Sequence, residues 1–197
     1  MIKINLGGGQ LWQEPGWTNL DRTLGYNVET QLLADYSGDT VDLIYSSHFL
    51  EHISFSTGLT VLKECYRILK KGGLMRIVVP DIDKLWLLLR GGDRTPLVTC
   101  SKYYRERPGQ TLKQDAMELY GIIGKTGHKA FYSSTLLSSF LCFAGFETEQ
   151  IYFMDFLITR VSEYQKPAIH DAVTGHVTGG FDSAEHVAIS CYLESVK

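Results

Sequence analysis

Apolar and polar positions in this chain fall into short blocks with two different periods. Ile2-Lys3-Ile4-Asn5-Leu6 is apolar at every second position and runs into three glycines, Gly7-Gly8-Gly9. A second short stretch, Gly16-Trp17-Thr18-Asn19-Leu20, ends in Asp21. Both read as strands, and residues 40–45 read as a third, buried one. Gln31-Leu32-Leu33 is a weaker strand candidate. The period changes over residues 58–70, where Leu59, Leu62, Tyr66 and Leu69 share one helical face and Lys63, Glu64, Arg67 and Lys70 fall elsewhere. Lys70-Lys71 suit the negative end of that helix, and Gly72-Gly73 would stop it. Residues 74–79 form the next strand, closed by Pro80. Strands alternating with helices predict a mostly parallel sheet covered on both faces.

Beyond Pro80 the pattern loosens. Residues 83–89 form a short apolar helix candidate, ended by Gly91-Gly92. Residues 101–109 mix aromatic and basic side chains, including Tyr103, Tyr104 and Arg105. Residues 112–123 read as helix and 124–127 as a glycine loop. Residues 133–144 read as helix, stopped at Gly145. Residues 146–154 and 186–193 read as two strands that pair antiparallel. The connection between them, 155–185, is long enough to suggest a functional role.

The length of 197 residues fits one domain, 1–197, able to bury roughly 70% of its unfolded surface. Segments 81–130 and 155–185 are the expected substrate-covering insertions. A net charge of -3 gives no support to a polyanion footprint, so nucleic acid is not an expected partner. Cys65, Cys100, Cys142 and Cys191 form no CxxC pair, which favours reduced thiols over a cysteine-bound metal. No apolar run approaches the ~20 residues of a membrane span. Neither a membrane span nor an export leader is expected, and the expected compartment is the cytoplasm. Oligomeric state stays open, a homodimer included.

Acids and glycines recur where strands end: Gly7-Gly8-Gly9, Asp21, Asp35, Ser46-Ser47-His48 and Asp81. Ligands of open α/β sheets bind at that edge. Glycines let a ligand approach bare backbone, and a carboxylate accepts hydrogen bonds from a ribose diol. A nicotinamide dinucleotide fits poorly. Trp12 occupies the third glycine position of that fingerprint, and Asp21 comes too early.

In this order the motifs resemble the class I S-adenosylmethionine-dependent methyltransferases, in particular the methyltransferase-11-like branch. The resemblance rests on residues 4–9, Asp21, residues 41–52, residues 64–73 and Ala144-Gly145-Phe146. It implies a Rossmann-like, mostly parallel seven-stranded sheet of order 3-2-1-4-5-7-6, helices on both faces and the last strand antiparallel. It implies S-adenosylmethionine as cofactor, held by Asn5, Leu6, Gly7, Gly8, Gly9, Asp21, Arg22, Asp35, Tyr36, Ser46, Ser47 and His48. Asp21 would hold the ribose hydroxyls and Asp35 the adenine. Only eleven residues separate Gly9 from Asp21, so the usual first helix must be very short.

Methyl transfer is chiefly alignment, with a proton to remove where the nucleophile is an oxygen or amine. His48 and Asp81 are the first candidates to orient or deprotonate it, and His128 the next. Ser46-Ser47-His48-Phe49 stands where amino-group DNA methyltransferases carry a Pro-Pro motif, which argues against that substrate class. A small or sugar-containing acceptor is preferred. A catalytically silent donor-binding module or partner subunit is the alternative. A remoter one is a zinc hydrolase through His48-x-x-Glu51-His52, with the two imidazoles one helical turn apart. No third ligand is evident beyond Glu64, so no metal is expected. His170, His176 and His186 read as solvated loop histidines.

Overall fold

The structure is a computed structural model that describes residues 1–91, 127–173 and 176–197. The helix expected over 112–123, the aromatic and basic stretch 101–109 and residues 124–126 lie outside the described residues. Eight strands are present among them: β1 (Lys3–Leu6), β2 (Thr18–Leu20), β3 (Val41–Ser47), β4 (Leu69–Pro80), β5 (Ile151–Met154), β6 (Ile169–His170), β7 (Val177–Gly179) and β8 (Ser190–Val196). Six form the main sheet, in the order β2-β1-β3-β4-β8-β5, and β6 and β7 pair separately. The first four are parallel; β8 is antiparallel to both β4 and β5.

This is the expected order without its outermost strand. Where that strand was expected, Asn27 caps the four-residue helix α1 (Val28–Gln31) by accepting from the Glu29 amide at 3.0 Å. Leu32 and Leu33 then adopt left-handed backbone, φ 45° and 55°. That reversal turns the Leu33 side chain, fully buried, into the core. Residues cannot both reverse the chain and extend along a sheet edge, so Asp35 follows a turn and not a strand.

One face of the sheet carries α2 (Phe55–Ile68) and α4 (Ser134–Ala144). Ser54 caps α2, its hydroxyl accepting from the Thr57 amide at 3.2 Å. The helix turns Val61, Leu62, Cys65 and Ile68 inward, with Leu59 and Tyr66 only partly buried at the flanks. The face is therefore rotated from the expected stripe. The helix also ends sooner than expected, at Ile68, because Leu69 pairs with Val41 and begins β4. Lys70 then serves the sheet, its ammonium 2.8 Å from Asp42. After β4, α3 (Ile82–Gly91) follows at once, and α4 ends at Gly145, φ +120°.

The opposite face departs further from expectation. Alternation along β3 sends Ile44 to the helical side and Leu43 and Tyr45 to the other. Among the described residues, that second face is covered by the connection after β5, not by helices. Tyr164 and Phe181 from the connection join Trp12, Tyr45, Leu74, Val78 and Tyr192 in a second core. Tyr45 and Phe181 meet edge to face at 4.8 Å between ring centres, an arrangement that aligns a positive ring edge with a negative face. Tyr164 Oη donates to the Ile44 carbonyl at 2.9 Å, and Trp12 Nε1 donates to the Gly180 carbonyl at 2.8 Å.

The connection is fastened by a buried charge. Arg76, at the middle of β4, is fully buried with Asp182 and Glu194. Its Nε donates to Asp182 Oδ1 at 3.1 Å, and one Nη2 hydrogen goes to Asp182 Oδ2. Nη1 donates to Glu194 Oε1 at 2.9 Å and to the Ile158 carbonyl at 3.2 Å; Nη2 also reaches the Asp155 carbonyl at 2.9 Å. All five guanidinium hydrogens are thus engaged. The surplus negative charge is met by donors of the connection and the sheet: the Leu157 and Arg160 amides, the Thr159 hydroxyl and Tyr45 Oη. Burial disfavours the Arg76 charge, and the two carboxylates more than restore it. No helix among the described residues is long and apolar enough to cross a membrane.

Removing the cation alone would leave two carboxylates buried without their counter-charge. Arg76→Met should therefore cost about 3–5 kcal/mol of stability, measured by urea unfolding. A loss below about 1 kcal/mol would mean that the network does not fasten the connection.

Candidate active site

The edge where β1 and β3 end is built around the glycine turn. Gly7 donates its amide to the Leu20 carbonyl at 2.9 Å and takes φ +74°. A Cβ there would stand 2.4 Å from Phe49 Cδ2. Gly9 also lies in left-handed backbone, φ +73°, but a Cβ on it would meet nothing within 4 Å. One glycine is demanded by packing; the other leaves the main chain open to a ligand.

Asp21 holds the turn from below. Its Oδ2 accepts the Gly9 amide at 2.9 Å, and its Oδ1 accepts the Thr23 amide at 2.8 Å as well as the Thr23 hydroxyl. Burial alone would push this carboxyl up. Hydrogen bonds from Thr23 and Gly9 and the charge of Arg22 more than reverse that and hold it below the ordinary carboxylate value. A carboxylate has about four acceptor sites, so Oδ2 keeps capacity for a further hydroxyl. Asn19 Nδ2 donates to the Gly9 carbonyl at 2.7 Å and closes the turn from the other side.

Two cavities flank the turn. The first, about 440 Å³, is lined by Asn5 and Gly7–Gly9, by Trp12, Tyr45, Ser47 and His48, and by His176, Phe181 and Ser183 of the connection. The second, about 550 Å³, is lined by Asp21, Arg22, Tyr26, Asn27 and Val28, and by His48, Phe49, His52 and Lys129. Each is of the size that holds a drug-sized ligand. Gly7, Gly9, Thr23 and His48 line both, so the turn and one imidazole stand at their junction. His48 has left-handed backbone, φ +51°, uncommon outside glycine and frequent where strain serves a site.

Most of the residues expected from the sequence gather here. Asn5, Gly7, Gly8, Gly9, Ser47 and His48 line the first cavity, and Asp21 and Arg22 the second. Leu6 and Ser46 are buried behind the turn, the Ser46 hydroxyl donating to the Leu6 carbonyl at 3.4 Å. Asp35 and Tyr36 line neither cavity. Asp35 is exposed and acts on the Tyr26 hydroxyl, whose pKa burial raises first and Asp35 raises further. Asp81 lines neither cavity: its Oδ1 accepts the Asp83 amide at 3.0 Å and caps α3. His128 is half-buried and packs edge to face on His52 at 4.8 Å. Burial lowers its pKa first, and His52 and His48 add to that against the opposing Glu51.

The segment His48-x-x-Glu51-His52 does not lie on one helix. It begins directly after β3 and ends in a single 3-10 turn, Leu50–His52, so the spacing expected of a zinc-peptidase helix is not formed. Nor do Glu51 and His52 cap α2, a place taken by Ser54. Tyr26, Trp12, Phe181 and His176 were not anticipated as lining residues. For His176 and Phe181 the only signal was the length of the connection that carries them.

Comparisons with known proteins bear on the fold. Residues 21–77 match the methyltransferase-domain family. Among solved structures, a SAM-dependent methyltransferase from Archaeoglobus fulgidus aligns with a TM-score of 0.55 at 16% identity, covering 99% of this chain and 85% of that one. An S-adenosylmethionine-dependent methyltransferase from Mesorhizobium loti aligns at 0.50 and 12% identity, covering 100% and 90%. No curated protein matches. The fold is that of the S-adenosylmethionine-dependent methyltransferases, and residues 21–77 match their domain family. The site fits that cofactor in two respects. Gly9 leaves a cradle that a Cβ would fill, and Asn5 Oδ1, buried on the wall of the first cavity, lacks among the described residues a hydrogen-bond partner that an ammonium could supply.

Because folding lowers the pKa of Asp21, its contribution to stability is present above the ordinary carboxylate pKa of about 4 and is lost as pH falls through the folded value. The protein should therefore exceed its Asp21→Asn variant in thermal stability at pH 7, and the gap should narrow below about pH 4. Differential scanning calorimetry across pH 3–7 checks this. A gap that widens on acidification would contradict it.

Proposed function

We propose that this methyltransferase moves the methyl group of S-adenosylmethionine to an oxygen or nitrogen of a small or sugar-containing acceptor. The observation that carries the reading is the placement of the Gly7–Gly9 turn, with Asp21 under it, between two cavities that share His48. When bound, the cofactor supplies a sulfonium methyl that is transferred in line to the acceptor.

The residues divide the work. Asp21 takes a ribose hydroxyl on the free capacity of Oδ2. The main chain at Gly9 lets the sugar approach closely, and Asn5 Oδ1 receives the ammonium of the amino-acid part. Tyr26 and Val28 offer an apolar wall for a base beyond Asp21, with Asp35 acting through the Tyr26 hydroxyl. His48, at the junction, orients the acceptor and is the group placed to take its proton.

The first cavity supports this acceptor class. Its aromatic wall of Trp12, Tyr45 and Phe181 suits the apolar face of a sugar or small ring. The net charge of -3 offers no support to a long polyanion. His48 is preferred over Asp81 for the proton because Asp81 is spent on capping α3.

S-adenosylhomocysteine at 100 times its dissociation constant should stabilise the folded protein by about 2.7 kcal/mol, read as a rise in thermal midpoint. Asp21→Ala should abolish most of that rise. A folded wild-type protein that shows neither heat of binding nor a shift would refute the reading.

A further inference from the structure

A buried carboxylate lies in the chain between His48 and His52, which both line the second cavity. Glu51 is 1% exposed, and among the described residues neither of its carboxylate oxygens has a hydrogen-bond partner. His48 Nδ1 stands 3.1 Å from Oε1, an ion-pair distance without hydrogen-bond alignment. A buried carboxylate without hydrogen bonds is costly, so the site suits a cation.

Two further imidazoles converge on the same point. One donor atom each from Glu51, His52 and His128 lies within 4.8 Å of the others. The assembly is built by the main chain. The Glu51 carbonyl accepts the Lys129 amide at 2.6 Å and the Ala130 amide at 3.1 Å, which clamps residue 128 against residue 51. The His52 amide donates to the Phe49 carbonyl at 3.0 Å and fixes the turn from which both Glu51 and His52 project.

We propose that Glu51, His52 and His128 bind one divalent transition-metal ion, with Zn²⁺ the best fit. Two imidazoles and one carboxylate are a donor set that suits zinc and leaves one position open, whereas magnesium and calcium take oxygen donors. Zinc bonds of about 2.0–2.1 Å require the donors to draw in from their present spacing. Rotation of the two half-buried imidazoles supplies that movement while Glu51 stays fixed. His52 lines the cavity that also holds Asp21, so the open position would face a ligand there. The third ligand that the sequence motif lacks is His128, 76 residues beyond His52 and held in place by the clamp on Glu51. This site is not the peptidase arrangement, since its ligands come from a 3-10 turn and a distant loop.

Zinc binding needs no methyl donor, so its test is separate from that of the transferase reading. The chelator-stripped full chain is titrated with Zn²⁺ alone by calorimetry, and the thermal midpoint is followed in parallel. One Zn²⁺ per chain and a raised midpoint are expected. His52→Ala and His128→Ala should each weaken binding by more than about 100-fold, beyond the 10–100-fold typical of changes outside the ligand set. Co²⁺ in place of Zn²⁺ should give a d–d absorption band that both variants lose. Glu51→Gln removes the charge at constant shape and should weaken Zn²⁺ binding while leaving the fold intact. Two results would overturn the proposal: a folded wild-type chain that takes up no Zn²⁺, or wild type and the histidine variants binding it equally.

Discussion

A guanidinium buried in the middle of the sheet holds this structure to its function. Arg76 ties β4 to β8 through Glu194 and ties the sheet to the connection through Asp182 and the Asp155 and Ile158 carbonyls. The connection in turn brings Phe181, Ser183 and His176 to the wall of the first cavity. A fully buried ion network is weak evidence for stability as such. Its use here is register: four directional hydrogen bonds fix an otherwise irregular segment against the sheet, where apolar contact alone would let it slide.

The other constraint is local. Asp21 must satisfy the Gly9 amide and the start of the following turn, and still keep acceptor capacity toward the cavity. A residue that serves both the backbone and a ligand resists substitution in two ways. Asparagine would keep part of the structural role and lose the charge; alanine would lose both. Stability and ligand affinity should therefore separate across the two variants.

What the sequence made legible were features coded by neighbours. The strict alternation before Gly7, the apolar run of β3 and the stop at Gly145 all predict their elements, because period and turn chemistry act over a few residues. The outermost strand failed for a local reason as well. Leu32-Leu33 is apolar enough for a strand, yet the Asn27 cap starts a helix that must reverse there. The second face was not legible. Arg76 stands in β4 between apolar neighbours, but its partners Asp182 and Glu194 lie 106 and 118 residues away. No local pattern reports such a pairing. Separation along the chain likewise hid the approach of His128 to Glu51.

The central claim is that the opening turn and the carboxylate of residue 21 form the donor site. A crystal structure with S-adenosylhomocysteine tests it directly. The account predicts the ribose diol within hydrogen-bond distance of Asp21 and the thioether chain along Gly7–Gly9 toward the cavity of Asn5. A nucleoside bound elsewhere, with this crevice left unfilled at saturating ligand, would contradict it.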